Sequence, residues 1–370
     1  MNTTLLTMAM LVLSASIVEA REIRVAPGLP SPHPVYDDLY VPFVEYLPKV
    51  SDGNLTAKIL GPEVVALPQM KDALQTNLAE IGTIVPLYYG SEMPYAGIMS
   101  AVALTGREPH VMGAAATEFM VNCIPCQKEF IDLGMVYLGT GSTDVYGLIT
   151  TKPVVVPEDL QGLRLRTGGA PFSRWAEHFG AAPVTMSTAE VFESISQGTL
   201  DGSVSSLSDL LTLRLMEVIK NATLISIGTY HGTSSFTASK TTWVQLSAEE
   251  REQLARAANL GAVQMTQAWG YELADKALNA AKEAGLTAVT PSPILKEASN
   301  AYALEDVKIA AQLAKENYGI DDADDLIAEF IRLVEKWQGI VDETGLDPDA
   351  IAARVQAEVW DKVDYASYGN

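Results

Sequence analysis

The chain is poor in the residues that redox, metal and nucleic-acid chemistry usually require. It holds two cysteines and four histidines in 370 residues. The histidines, His33, His110, His178 and His231, are scattered, with no His-Glu-x-x-His and no paired spacing of the kind a zinc site needs. No metal site and no cofactor is expected. No Gly-x-Ser-x-Gly elbow, phosphate loop or dinucleotide fingerprint occurs. Gly168-Gly169 lacks phosphate-cradle spacing, and Asp201-Gly202 reads as a turn rather than an acid. Nothing here asks for catalysis, so the chain is not expected to be an enzyme. Basic residues are scarce too: 25 Lys and Arg stand against 46 Asp and Glu, a net charge of −21. That balance argues against nucleic acid and anionic membranes as partners. It does not say what enters a locally basic cleft.

Long hydrophobic runs are missing except at the start. Residues 5–18 are almost entirely apolar or small and end in Val18-Glu19-Ala20, suited to cleavage before Arg21, although no Lys or Arg precedes them. This run is short of the roughly 20 residues of a membrane helix and reads as a secretory signal over 1–20. The protein is therefore expected to be periplasmic. Removing one Glu with the leader leaves 25 − 45 = −20. The remaining 350 residues (370 − 20) are enough for two cores.

What is present alternates strand and helix signals. Strand patterns cover 22–26, 55–60 and 81–85, with helices over 35–49 and 68–79 between them, and a loop carrying Pro27, Pro30, Pro32 and Pro34 after the first. A helical stretch over 112–133 breaks at Pro125, and strands follow at 136–139 and 145–150. A second unit continues through 163–166, 182–184 and 200–205, then a β-rich stretch at 234–244. Helices fill the rest: 248–284, 293–318, 323–340 and 348–363, the last capped by Asp347 with Ile351, Val355 and Val359 as its buried stripe.

Arg166 is the most informative residue. In Gly162-Leu163-Arg164-Leu165-Arg166-Thr167-Gly168-Gly169-Ala170-Pro171 a short strand delivers a guanidinium beside the start of a helix with Phe172, Trp175 and Phe179 on one side. A fork of donors next to a helix N-terminus attracts a carboxylate. The alternative is a structural arginine paired with a nearby acid.

The neighbouring segments bear on that choice. Pro157-Glu158-Asp159-Leu160-Gln161-Gly162-Leu163-Arg164-Leu165-Arg166, the turn Gly180-Ala181-Ala182-Pro183, then Glu190-Val191-Phe192 and Gly198-Thr199-Leu200-Asp201-Gly202 resemble the periplasmic solute-binding proteins of TRAP transporters. Leu67-Pro68-Gln69-Met70, Asn77-Leu78-Ala79-Glu80-Ile81-Gly82, Tyr89-Gly90, Pro94 and Trp243-x-x-Leu246 extend the resemblance over nearly the whole chain. It implies an α/β, two-lobed periplasmic-binding-protein-like fold with crossing strands, a long lobe-spanning helix and C-terminal helices. Lobe I would be 21–142 plus 231–268, and 143–230 plus 269–370 would be lobe II and the C-terminal helices. It also implies a monomeric receptor that takes a small organic acid by hinge closure and hands it to TRAP membrane permease subunits.

Residue by residue, the family's carboxylate-clamping arginine falls on Arg166, and the position of its helper asparagine on Ser205. Thr188 stands where sialic-acid-binding members carry an aromatic residue, and Val85 where they carry an acid. No second arginine occurs between Tyr146 and Thr151. These departures point to a monocarboxylate with a less polar body. Tyr88 after the third strand, His33 in the Pro-rich loop, Ser142 and Thr143 at the outgoing crossover, and Tyr230 and His231 at the return are the candidate walls. His231 would add a positive donor below its ordinary pKa of about 6.5.

Cys123-Ile124-Pro125-Cys126 leaves alternatives open. In an exported protein two close cysteines usually form a structural disulfide. A thiol–disulfide oxidoreductase would need the first thiolate at a helix N-terminus, which Asn122 is placed to cap. A periplasmic enzyme using Cys123 and Cys126 is thus the rival reading.

Overall fold

The structure, a computed structural model, describes residues 20–186 and 188–370; the expected leader over 1–20 lies, but for its last residue, outside them. The strands in chain order are β1 (Arg21–Ala26), β2 (Leu55–Ile59), β3 (Ile81–Ile84), β4 (Met135–Tyr137), β5 (Gly147–Thr150), β6 (Arg164–Thr167), β7 (Ala182–Thr185), β8 (Gly202–Ser205), β9 (Asn221–Thr223), β10 (Ser234–Ser239) and β11 (Thr287–Val289). They form two sheets with helices between strands: a five-stranded one, β2-β1-β3-β10-β4, and a six-stranded one, β11-β9-β5-β8-β6-β7. The α/β class and the two-lobed layout expected from the resemblance are both present.

Each sheet contains one reversed strand at its heart. β10 runs antiparallel to β3 and β4, and β5 antiparallel to β8 and β9. Both are the strands that enter a lobe from the other one. Strands such as β3 and β6 run toward the space between the lobes, so a strand starting there must run away from it. β3, β5, β8 and β10 are buried along their whole length, as inner strands covered on both faces must be. Side-chain alternation along β5 sends Leu148 into one core of the second sheet and Ile149 into the other.

Two extended segments join the lobes. They pair through the bridge Val145–Thr229, with Tyr146 N donating to Gly228 O at 2.7 Å and Thr143 N to Tyr230 O at 3.1 Å. The helical run Ala248–Gln267, Ala268–Leu273, Ala274–Glu283 also spans them. It starts at a reciprocal cap, Glu250 N to Ser247 Oγ (3.2 Å) and Ser247 N to Glu250 Oε2 (2.7 Å). Leu254 to Met265 pack in the first core, whereas Ala277 and Ala281 pack in the second lobe. The π-turn at Ala268–Leu273 falls between those two stretches.

A second helix spans the lobes as well. Leu295, Tyr302 and Ala303 of Pro293–Tyr318 lie in the core around Trp175, and Ala310, Ala311 and Ala314 lie in the first core. At the changeover Asp306, 1% exposed, holds Arg174 with contacts of 2.6 and 2.8 Å. Arg174 in turn reaches Ala101 O at 3.1 Å. The chain beyond this helix returns to the first lobe: Phe330, Trp337, Ile351, Val355 and Trp360 share a core with Ile23 and Phe236. Of the C-terminal helices, Ala323–Thr344 and Pro348–Glu358 therefore side with lobe I, because their apolar faces find their partners on Pro109–Asn122 and Ala248–Gln267.

Two local expectations shift. The break expected at Pro125 is at Cys123, which is extended (φ −78, ψ 95), while Pro125 occupies the first turn of Ile124–Asp132, where a missing N–H leaves no bond unmade. The β-rich stretch expected to 244 ends at Ser239, and Lys240–Trp243 forms a helical turn.

Candidate functional site

A cleft enclosing about 800 Å3 of empty space, part of it open to solvent, lies where the two lobes meet. Its walls are loops that follow strand ends running into it. Leu29, His33 and Val35 follow β1, Val85 and Tyr88 follow β3, and Ser142 and Thr143 follow β4. From the second lobe come Arg166 and Gly168 at the end of β6, Thr188 after β7, and Asp209 after β8. Tyr146 and Tyr230 enter from the crossing segments, and Met265 and Trp269 from the spanning helix.

Arg166 is 4% exposed and lies on β6 opposite Val184 on one side and Ser203 on the other. Its Nε donates to Met186 O at 3.2 Å. Among the described residues its terminal nitrogens have no hydrogen-bond acceptor, and no carboxylate lies within 4.0 Å of them. The other deeply set arginines differ. Arg174 is paired with Asp306, and Arg251 donates to Trp243 O and Tyr365 O, both at 3.0 Å. A guanidinium removed from water with most of its donors unused calls for an anion. Arg164, two residues earlier on the same strand, is by contrast exposed and clamped to Asp201 at 2.9 Å.

The helix Ala170–His178 contributes less than its position in sequence suggests. Gly168 reaches the cleft, but Ala170 and Pro171 line a separate cavity behind Leu87. A Cβ on Gly169 would lie 2.1 Å from Leu87 Cδ2, so the first lobe's turn Pro86–Tyr89 rests directly on this glycine of the second lobe.

Around Arg166 the cleft is aromatic and hydroxylated. Tyr146 stacks on Phe172 with ring centres 4.9 Å apart. The Tyr230 hydroxyl is buried without a hydrogen bond, and burial pushes its pKa up. Trp269 meets the His33 ring edge-on at 5.0 Å and donates from Nε1 to Ser206 Oγ (3.1 Å) and Ser208 Oγ (3.0 Å). One indole thus touches both lobes. Desolvation lowers the His33 pKa to about 4, which leaves the ring neutral at neutral pH.

Among the described residues Asp209 is the one carboxylate on this wall, 6% exposed. Burial raises its pKa, while Arg166, Thr212 and Ser205 pull it down. Beneath it Asp144 accepts from Leu207 N at 3.0 Å, and burial lifts its pKa to about 8.

The structure therefore brings Arg166, His33, Tyr88, Ser142 and Tyr230 to one cleft. It does not bring Ser205 or His231 to its wall. Ser205, at the end of β8, is buried, and its hydroxyl has no hydrogen-bond partner among the described residues. His231 is fully buried, bonded through Nδ1 to Thr229 Oγ1 at 3.0 Å and stacked on Phe330 at 5.4 Å. Burial lowers its pKa to about 4, so between about 4 and 6.5, where a positive donor was expected, the ring is neutral. Asp209, Trp269 and Tyr146 escaped the sequence reading. Asp209 follows Ser205 by four residues in a polar run, and Trp269 sits in a helix where an aromatic residue reads as core. Cys123 and Cys126 form a disulfide within the first core and line no part of the cleft, so the oxidoreductase reading gains no support. No group of three or more His, Cys, Asp or Glu is placed to hold a metal among the described residues.

Residues 28–312 match the family described as bacterial extracellular solute-binding protein, family 7. A curated relative, a solute-binding protein of Albidiferax ferrireducens, is 23% identical over 265 residues, 70% of this chain and 65% of the relative. The matched stretch is thus under two thirds of that protein's own length. Among solved structures, a TRAP periplasmic solute-binding protein of Bordetella bronchiseptica with bound (R)- and (S)-mandelate superposes with a TM-score of 0.72 at 22% identity, covering 85% of this chain and 99% of that one. A TRAP solute-binding protein of Rhodoferax ferrireducens with copurified benzoate gives 0.75 at 15% identity, covering 86% and 99%.

Proposed function

The chain belongs to the bacterial extracellular solute-binding proteins of family 7, and we propose that it is a periplasmic receptor that captures a small organic acid between its lobes and delivers it to a TRAP-type permease. The ligand is a monocarboxylate with a less polar body, and the receptor works as a monomer without covalent chemistry. One observation carries this reading: a 4% exposed guanidinium with no anionic partner among the described residues, facing a cleft between two lobes. The ligand's carboxylate supplies the missing charge, accepting two hydrogen bonds from one arginine. Val85, Tyr146, Met265 and Trp269 offer the apolar walls its body needs. Mandelate and benzoate in the two related structures are acids of this kind.

Capture proceeds by closure of the lobes about the two crossing segments and the helical turn at Ala268–Leu273. A ligand that touches Arg166 on one side and the His33 loop on the other stabilises the closed form because only that form offers both contacts. A thermal-shift screen over organic acids, with mass spectrometry of whatever copurifies, tests the reading. A carboxylic acid should copurify and raise the unfolding midpoint of wild type but not of Arg166→Ala. Stabilisation that survives Arg166→Ala intact would refute the clamp.

A further inference from the structure

The cleft holds a second buried charge that the clamp does not use. Asp209 and Arg166 both line it, 6% and 4% exposed, yet no oxygen of one lies within 4.0 Å of a nitrogen of the other. If Asp209 merely neutralised Arg166, the two would pair as Arg174 and Asp306 do at 2.6 and 2.8 Å. Asp209 Oδ1 accepts from Thr212 Oγ1 at 3.1 Å. This contact steadies the group from its own lobe and leaves acceptor capacity toward the cleft. The nearby Tyr230 hydroxyl is buried and unpartnered as well. The cleft thus presents donors at one point and a steadied acceptor at another.

We propose that Asp209 is the ligand's second polar contact, accepting a hydrogen bond from a hydroxyl or ammonium group, so that the cleft selects hydroxy- or amino-carboxylates over plain ones. This rests on the reading of Arg166 as the carboxylate clamp. A ligand lacking such a donor leaves a desolvated carboxyl facing apolar atoms, which is costlier than the bond itself is favourable. Discrimination against it should exceed what a missing methylene would give.

Phenylacetate, mandelate and phenylglycine carry H, OH or NH3+ on one carbon of an otherwise common frame. Isothermal titration of the full-length chain with these three acids reads the preference directly. At least one of the two donor-bearing acids should bind about tenfold or more tighter than phenylacetate. Asp209→Leu should erase that difference, with phenylacetate binding tighter than to wild type because the unanswered carboxyl is gone. Asp209→Asn separates the donors: its amide oxygen still accepts from a hydroxyl, but without the charge a preference for ammonium is lost. Should Asp209→Leu fail to fold, the Asn variant carries the test, since a lost ammonium preference or a retained hydroxyl preference is still read from the three affinities.

Equal affinities in wild type would overturn the inference. So would a uniform loss across all three acids in either variant, which is what a residue that only positions Arg166 would produce. Failure of the clamp itself looks different: phenylacetamide would bind as well as phenylacetate, or Arg166→Ala would leave phenylacetate unaffected. If the phenyl frame does not bind, propionate, lactate and alanine repeat the comparison, and silence of both series overturns clamp and inference together.

Discussion

At the scale of the residue, the protein is organised by how its few buried charges are answered. Asp306 answers Arg174, Glu118 receives Lys336 Nζ at 2.8 and 2.9 Å, and backbone carbonyls answer Arg251. Arg166 alone among these waits for something that is not part of the described chain. Arg166→Ala should therefore weaken binding of the copurified acid by about thirtyfold or more, since truncating one member of a buried charge pair costs ~2–5 kcal/mol. Arg166→Lys should recover only part of this, because a point charge cannot reproduce the planar fork. Titration calorimetry measures both, and a Lys variant equal to wild type would rule out a bidentate grip. The sequence pointed to this arginine from its place at a strand end. It gave no such lead for Asp209, whose importance lies in facing Arg166 from a different strand end.

At the scale of the element, the junction between lobes is built from two crossing segments and two helices. Gly141 illustrates how closely they meet: a Cβ there would lie 2.5 Å from Met265 Cε and 2.8 Å from Ala262 O of the spanning helix. The second helix is pinned at its changeover by Arg174–Asp306, with side chains 15% and 1% exposed. Asp306→Ala leaves that guanidinium unpaired, so the folding free energy should drop by about 3 kcal/mol. Urea denaturation followed by circular dichroism would show it, and an unmoved midpoint would mean the pair contributes nothing.

Asp144 adds a pH signature to the crossing. Its folded pKa of about 8 stands above the ordinary 3.8, so the folded state holds its proton longer than the unfolded chain. The stability this contributes is complete below about 4 and is lost as pH rises through about 8. Asp144→Asn has no proton to lose, so its stability relative to wild type should climb between pH 4 and 8 and level off above. Unfolding midpoints of the two proteins that run parallel across that range would contradict the assignment.

At the scale of the whole molecule, closure is the property to test. The turn Pro86–Tyr89 of one lobe rests on Gly169 of the other. Gly169→Val fills the space Leu87 occupies and alters no residue of the cleft wall. Affinity should fall by about tenfold, as expected when ~1–3 kcal/mol of overpacking burdens only the closed state. Small-angle scattering should show a larger radius of gyration with ligand bound than wild type has. An unchanged affinity and radius would place the closing contact elsewhere.

What the sequence determined by itself is local. The alternation of strand and helix, the caps Ser247, Ser292 and Asp347, and the delivery of Arg166 to a strand end all depend on residues a few positions apart. Backbone hydrogen bonding and side-chain periodicity act at that range, and so they can be read along a line. The tertiary structure decided burial and partnership. His231 and Ser205 look as available in sequence as Tyr230 does, yet Phe330, 99 positions beyond His231, covers its ring, and Ser205 is buried away from the cleft wall. Trp269 joins His33 to Ser206 and Ser208 across both lobes, and the last helices return to the first core rather than the second. Desolvation and charge pairing depend on atoms brought together from distant parts of the chain, and only the folded arrangement supplies those distances.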